Sequence, residues 1–241
     1  FGQIGFARGS GAAATDVFQL LEPLLFHRRQ LFALLRFLLP RLLETVDLAA
    51  PAVPDFEPVR VWYPAVTDEE LERIRGFVAS YCESELAGRI AGLAGARPER
   101  PFAFEHDGVL LHGRLDVLWA EDDRALVLDY KTNSLAEGTP EEIVEADYRL
   151  QQLVYALACF RTGVEEVEVV YHFLERPDAV VSTRFVRADL DRGLPAELDG
   201  PYDVVLAADV LEHVRRPDAL LDELHGVLAP GGSIIASVPN F

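Results

Sequence analysis

Four apolar residues without interruption, Ala125 to Leu128, run straight into Asp129, Tyr130 and Lys131. The apolar run reads as a buried β-strand, and a buried strand needs a sheet around it. In a strand, residues i and i+2 point to the same face, so Asp129 and Lys131 should project side by side from the strand tip. Two chemistries fit that pair. It is either a strand end that has surfaced, carrying an exposed ion pair worth under about 1 kcal/mol, or a metal ligand beside a lysine that positions water.

The flanking sequence places this strand in a sheet. "PFAFEH" (101–106) is a strand, Asp107 and Gly108 form a hairpin turn, and "VLLHGRLDVLWA" (109–120) is the return strand. "EDDR" then turns into the 125–131 strand. A helix is expected over 140–161, and "EVEVVYHFLE" and "AVVSTRFVRA" form two more strands across the "RPD" turn. The spacing in "TDEELERIRGFVASYCESELAGRI" predicts a leading helix from a capping residue at Thr67. This β-β-β-α-β-β order behind a helix specifies an α/β or α+β domain with a mixed sheet. Further on, "YDVVLAADV", "RPDALLDELHGVL" and "SIIASVPN" give a β-α-β unit of a parallel sheet, with "APGG" as a turn. Residues 1–60 read as a helical segment and linker: arginine-studded amphipathic helices interrupted by "HRRQ" (His27 to Gln30), then a stretch (51–66) with four prolines. "GSG" (Gly9 to Gly11) lacks a preceding strand and fits no phosphate-loop fingerprint.

In the second strand Val109, Leu111, Leu115, Val117 and Trp119 should face a core, with His112, Arg114 and Asp116 on the other side. If that strand pairs with 125–131, Asp116 sits near Asp129. Two close, partly buried carboxylates repel unless a cation or proton neutralises them, and oxygen ligands suit Mg²⁺ or Mn²⁺. Gln151 and Tyr155, spaced i, i+4, share a helix face and could contact a nucleic-acid strand or support the site. Glu99 and Glu105 read as strand-flanking surface acids, and His106 and His172 as ordinary strand histidines.

Charge and cysteine content bound the function. A formal net charge of −18 argues against a surface that collects nucleic acid by bulk attraction, though not against a local site where a metal offsets repulsion. Cys82 and Cys159 form no CxxC pair, which excludes a four-cysteine zinc or iron–sulfur centre and fits a reducing compartment. No apolar run reaches membrane-spanning length, and the expected location is the cytoplasm. The chain starts at Phe1 and contains no methionine, from which we expect a fragment, a processed product or an assembled sequence.

Taken together, "GRLDVLW", "VLDYKT" and "YRLQQLVYALA" resemble, in order and spacing, the RecB/AddA-type nuclease domain of the PD-(D/E)XK superfamily over about 70–188, within a nuclease-like domain expected over 67–190. The resemblance implies Asp116 and Asp129 as metal ligands for Mg²⁺ or Mn²⁺, the Tyr130 carbonyl as a further ligand, Lys131 as catalytic lysine, and Gln151 and Tyr155 as DNA contacts. It also implies an ATP-dependent helicase subunit or domain as partner, since no Walker loop occurs here, and a role in DNA repair. The family's upstream histidine, in a G-x-x-x-H context, has no match before Glu69; a nuclease-like interaction module without full activity therefore stays open. The segment 198–241, with "DVLEHV", "LAPGG" and "SVPN", resembles part of a class I S-adenosylmethionine-dependent methyltransferase. That resemblance puts Asp209, Glu212 and His213 near a cofactor crevice. The glycine loop that cradles the cofactor is missing between Arg187 and Gly200, so S-adenosylmethionine is not expected to bind, and the unit is expected to be incomplete.

Overall fold

The computed structural model describes residues 38–39, 41–106, 108–136, 138–196, 198, 200–208 and 210–237. The expectations for the N-terminal helices, the Gly9–Gly11 stretch, His27–Gln30, Asp107 and Asp209 lie outside these residues. The described chain is a mixed α/β structure. Helices α1 (Glu57–Trp62), α2 (Asp68–Cys82) and α3 (Glu85–Ala91) precede strands β1 (Arg97–His106), β2 (Val109–Glu121) and β3 (Arg124–Lys131). Helix α4 (Pro140–Ile143) passes through a π turn (Val144–Tyr148) into α5 (Arg149–Phe160), followed by β4 (Glu166–Phe173) and β5 (Val180–Val186). The five strands form one sheet in chain order, with β3 and β4 parallel and the other neighbours antiparallel. Strands β6 (Tyr202–Ala208) and β7 (Leu228–Ser237), with helix α6 (Pro217–Gly226) between them in the chain, make a separate two-stranded parallel sheet.

The uninterrupted apolar run of β3 has a direct cause, because both faces of the sheet are covered. Leu126 and Leu128 join a core with Ile74, Val78 and Tyr81 of α2 and with Leu38, Leu39, Leu42 and Leu43. Ala125 and Val127 face the opposite side, with Tyr155, Ala156 and Cys159 of α5. Period-2 alternation then carries Asp129 and Lys131 onto the α5 side and Tyr130 onto the α2 side. Strand β4 repeats the pattern, with Val170 on the α2 side and Val167, Val169, Tyr171 and Phe173 on the α5 side.

Local chemistry sets the boundaries. A capping box at Thr67 starts α2, with the threonine side chain accepting from Glu70 N–H and Glu70 accepting from Thr67 N–H. Ser84 caps α3 and splits the single expected helix in two. The proline-rich stretch includes α1, with a proline in its first turn. Asp122, at φ 51°, makes the tight β2–β3 turn. "APGG" lies inside β7 instead of forming a turn, with an irregular register near Tyr202. Val109 proves 58% exposed, because the β1–β2 hairpin runs on beyond the end of β3.

On the α2 side, His172 of β4 is wholly buried, and neither ring nitrogen has a hydrogen-bond partner among the described residues. Burial drives its pKa from 6.5 down to about 4, against a weak upward pull from the backbone of Arg176 and Pro177. As pH falls the unfolded chain takes up this proton first, so His172 removes stability between about pH 6.5 and 4. An apolar side chain in place of an unpartnered buried polar group is near neutral or stabilising. We expect His172→Leu to unfold within about 1 kcal/mol of the parent at pH 7.5 and to lose less stability than the parent by pH 5, as read from urea titrations at both pH values.

Candidate functional site

The site forms where β2 parts from β3. The β2–β3 ladder runs as far as Val117 opposite Leu128. Beyond it, Leu115 packs in the α5-side core while Val117 packs in the α2-side core, so β2 turns over at Asp116. Into the gap comes the Asp116 side chain, whose Oδ2 accepts the Tyr130 N–H at 2.8 Å. Gly113, three residues before Asp116, lies under the Phe102 ring: a Cβ there would stand 2.8 Å from it. That ring is in turn edge-on to Tyr155, with centroids 6.0 Å apart.

Asp129 and Lys131 are 5% and 7% exposed, which decides between the two readings of the strand tip: the pair is buried. Lys131 Nζ lies 2.7 Å from Asp129 Oδ1 and donates to Gln151 Oε1 at 2.7 Å. The ammonium also faces the rings of Tyr148 and Tyr171, 3.8 and 4.5 Å from their centroids. Tyr155 donates its hydroxyl to Asp129 Oδ2 at 2.7 Å and accepts from Gln151 Nε2 at 2.8 Å. Tyr171 donates to Gln151 Oε1 at 3.1 Å, and Tyr148 donates to Asn133 Oδ1 at 2.7 Å.

Burial first, and the charge of Asp129 second, raise the Asp116 carboxyl from 3.8 to about 7, against the Tyr130 N–H and the Lys131 charge. The Tyr155 and Tyr171 phenols are pushed well up by burial and then by Asp129, so both remain hydrogen-bond donors.

The structure thus brings Asp116, Asp129, Lys131, Gln151 and Tyr155 together at one strand tip. Gln151 and Tyr155 turn inward onto the lysine and the carboxylate. Glu212 and His213 lie on an exposed 3₁₀ turn (Leu211–His213) outside this cluster. Tyr148 and Tyr171 went unnoticed in the sequence. Tyr171 has no local motif and is identified only by its register opposite Asp129. Tyr148 lies three positions before Gln151, but the π turn that aims it leaves no spacing signal. Glu99 also differs from the surface acid expected of it, since it ion-pairs with Arg114 beside Asp116.

No group of three or more His, Cys, Asp or Glu side chains among the described residues is placed to hold a metal. The donor set on hand is two carboxylates and the backbone. It fits a divalent cation in one respect: Asp116 retains a proton to about pH 7, through burial first and the neighbouring Asp129 carboxylate second, and a cation would displace that proton. No helix among the described residues is long and apolar enough to cross a membrane.

A family model described as "PD-(D/E)XK nuclease superfamily" matches residues 25–229. Curated relatives named "Uncharacterized methyltransferase", from Mycobacterium sp. strains KMS and MCS, are each 35% identical over 159 residues, 64% of this chain. The chain spans 60% of the length of these relatives. A solved structure, "Crystal structure of SSO0001", aligns at 20% identity and TM-score 0.27, covering 55% of this chain and 63% of that one.

The raised Asp116 pKa carries a sign. Between about pH 4 and 7 the folded chain holds a proton that the unfolded chain has released, so this group's stabilising contribution is lost as pH rises through that window. Asp116→Asn keeps an acceptor for Tyr130 N–H and removes the repulsion. In EDTA at pH 8 we expect it to raise Tm by about 2 °C or more, with the gain vanishing at pH 4. A thermal melt at both pH values checks this.

Proposed function

Since the chain belongs to the PD-(D/E)XK nuclease superfamily, we propose that it is a divalent-metal-dependent DNA nuclease module of the helicase-associated RecB/AddA type, serving DNA repair. The observation that carries this reading is the buried Asp129–Lys131 pair beside Asp116. A buried ion pair costs desolvation that an apolar pair would avoid, and here each member is held in place, Asp129 by the Tyr155 hydroxyl and Lys131 by the Gln151 carbonyl oxygen.

In this reading Asp116, Asp129 and the Tyr130 carbonyl would hold Mg²⁺ or Mn²⁺, which would supply Lewis-acid charge. The chain's own groups do the rest. Lys131, fixed by Asp129, Gln151 and two aromatic faces, orients the attacking water and counters charge developing on the phosphoryl oxygens. The water oxygen forms the new P–O bond and its proton leaves to solvent; the ester P–O bond that breaks leaves its electron pair on the departing oxygen, which takes up a proton from solvent. Tyr155 and Gln151 hold Asp129 and Lys131 in register so that neither swings away when DNA arrives. DNA is the substrate and an ATP-driven helicase the partner in this proposal; the cytoplasm is its setting.

A second reading, a methyltransferase fragment, draws on the relatives named methyltransferase and on the β6–α6–β7 unit, with Glu212 and His213 on the 3₁₀ turn between β6 and α6 and Asp209 outside the described residues. A rise in melting midpoint with S-adenosylmethionine would support it, and an unchanged midpoint at high ligand would sink it.

For the nuclease, end-labelled linear DNA is incubated with Mg²⁺ or Mn²⁺. Asp129→Asn and Lys131→Gln are each expected to lower the cleavage rate by about 10²-fold or more, with circular dichroism reporting that the fold persists. Parent-level cleavage in both variants, or a parent that cuts nothing, refutes the assignment.

A further inference from the structure

Opposite Asp116, strand β1 does something that metal ligation alone leaves unexplained. Pro98 pairs with Val117 and Arg100 with Leu115, so Glu99 is the register partner of Asp116, yet that rung is missing from the ladder. Glu99 stands at φ 53°, a left-handed backbone in which Cβ crowds the carbonyl. Strained non-glycine residues persist only where their surroundings fix them, and they concentrate at functional sites. With no residue inserted in either strand, the left-handed backbone at Glu99 re-aims its side chain, a carboxylate that ion-pairs with the Arg114 guanidinium.

Arg114 is the unusual partner. It lies two residues before Asp116 and feels the charges of Glu99, Glu44 and Asp116 together. Its carbonyl is 3.5 Å from the Tyr155 hydroxyl, so its backbone borders the site, while its side chain is 62% exposed. Lys131, by contrast, is buried among Asp129, Gln151 and aromatic rings. An exposed, planar guanidinium beside the site has the shape for two parallel bonds to a phosphate. In a chain of net charge −18, contact with a polyanion depends on local cations of this kind. Both Glu99 and a phosphodiester present a pair of oxygens and one negative charge, so one can replace the other without changing the local charge.

We propose that Arg114 binds a phosphate of the nucleic-acid strand at the site, and that Glu99 is the internal carboxylate that occupies Arg114 until that phosphate replaces it. This rests on the nuclease reading and adds to it a substrate-contacting residue and its counter-ion.

The test measures binding of a fluorescein-labelled DNA duplex to the full chain by anisotropy, with Ca²⁺ in place of Mg²⁺, across a series of KCl concentrations. Losing one phosphate contact lowers the salt slope by about one. Arg114→Ala is expected to weaken binding by about 10-fold at low salt and to lower the slope by that amount. In cleavage assays it should raise KM more than it lowers kcat. Arg114→Lys should keep the slope and recover part of the affinity, since a point charge replaces a fork. Glu99→Gln should tighten binding several-fold, and the decisive arm is the double variant: the gain should disappear in the Arg114→Ala background. If Glu99→Gln tightens binding equally without Arg114, Glu99 acts by bulk repulsion and the counter-ion role is overturned. If Arg114→Ala cuts and binds like the parent, the proposal falls while the nuclease stands. If the parent neither binds nor cuts DNA, both fall together.

Discussion

The site depends on an exchange of acceptors at the end of a sheet ladder. Up to Val117 and Leu128, β2 and β3 satisfy one another's backbone; past that point the strands separate and Tyr130 N–H would be stranded. An unsatisfied buried N–H costs about 1–3 kcal/mol, and the Asp116 carboxylate removes that cost at 2.8 Å. The same bond pins Asp116 close to Asp129, where electrostatics alone would drive them apart. Strand separation, backbone satisfaction and carboxylate pairing are therefore one structural event. A side chain unable to accept that bond would reopen the wedge and scatter the groups around it.

Around this wedge the order of the lysine comes from elements distant in sequence. Strand β3 supplies Asp129 and Lys131, helix α5 supplies Gln151 and Tyr155, the π turn supplies Tyr148 and strand β4 supplies Tyr171. Each polar atom in the chain of contacts from Tyr171 through Gln151 and Tyr155 to Asp129 has a partner. Networks satisfied in this way rigidify a site. The α2 side of the same sheet is the opposite case: Tyr81, Tyr130 and His172 leave buried polar atoms without partners among the described residues, and their rings pack against one another instead.

Much of this was legible before the fold was known, and the reason is periodicity. The apolar run Ala125–Leu128 located the central strand, and alternation put Asp129 beside Lys131 and opposed Asp116 to it. Helical spacing put Gln151 and Tyr155 on one face. What stayed hidden needed register between strands: Tyr171 matters because it stands opposite Asp129, and Glu99 because it stands opposite Asp116, relations that no local pattern encodes. The break of the expected 140–161 helix and the burial of His172 were likewise tertiary outcomes. Both Glu99 and His172 had looked ordinary because their own neighbours in sequence are ordinary.

The π turn between α4 and α5 has a consequence for how this chain tolerates length changes. A wide turn absorbs one residue more than an α-helix would, so it acts as a phase adjuster between the capped start at Thr139 and the face of α5 that meets the sheet. Each residue added to or removed from a helix turns everything after it by about 100°. Because the wide turn already holds that extra residue, losing one from Val144–Tyr148 would restore an ordinary α-helical turn with the following helix in phase. Adding one more would instead rotate Gln151 and Tyr155 off Lys131 and Asp129 while leaving every residue of the strand tip in place. Composition there is held as well, since Val144 packs in the core and Tyr148 faces Lys131.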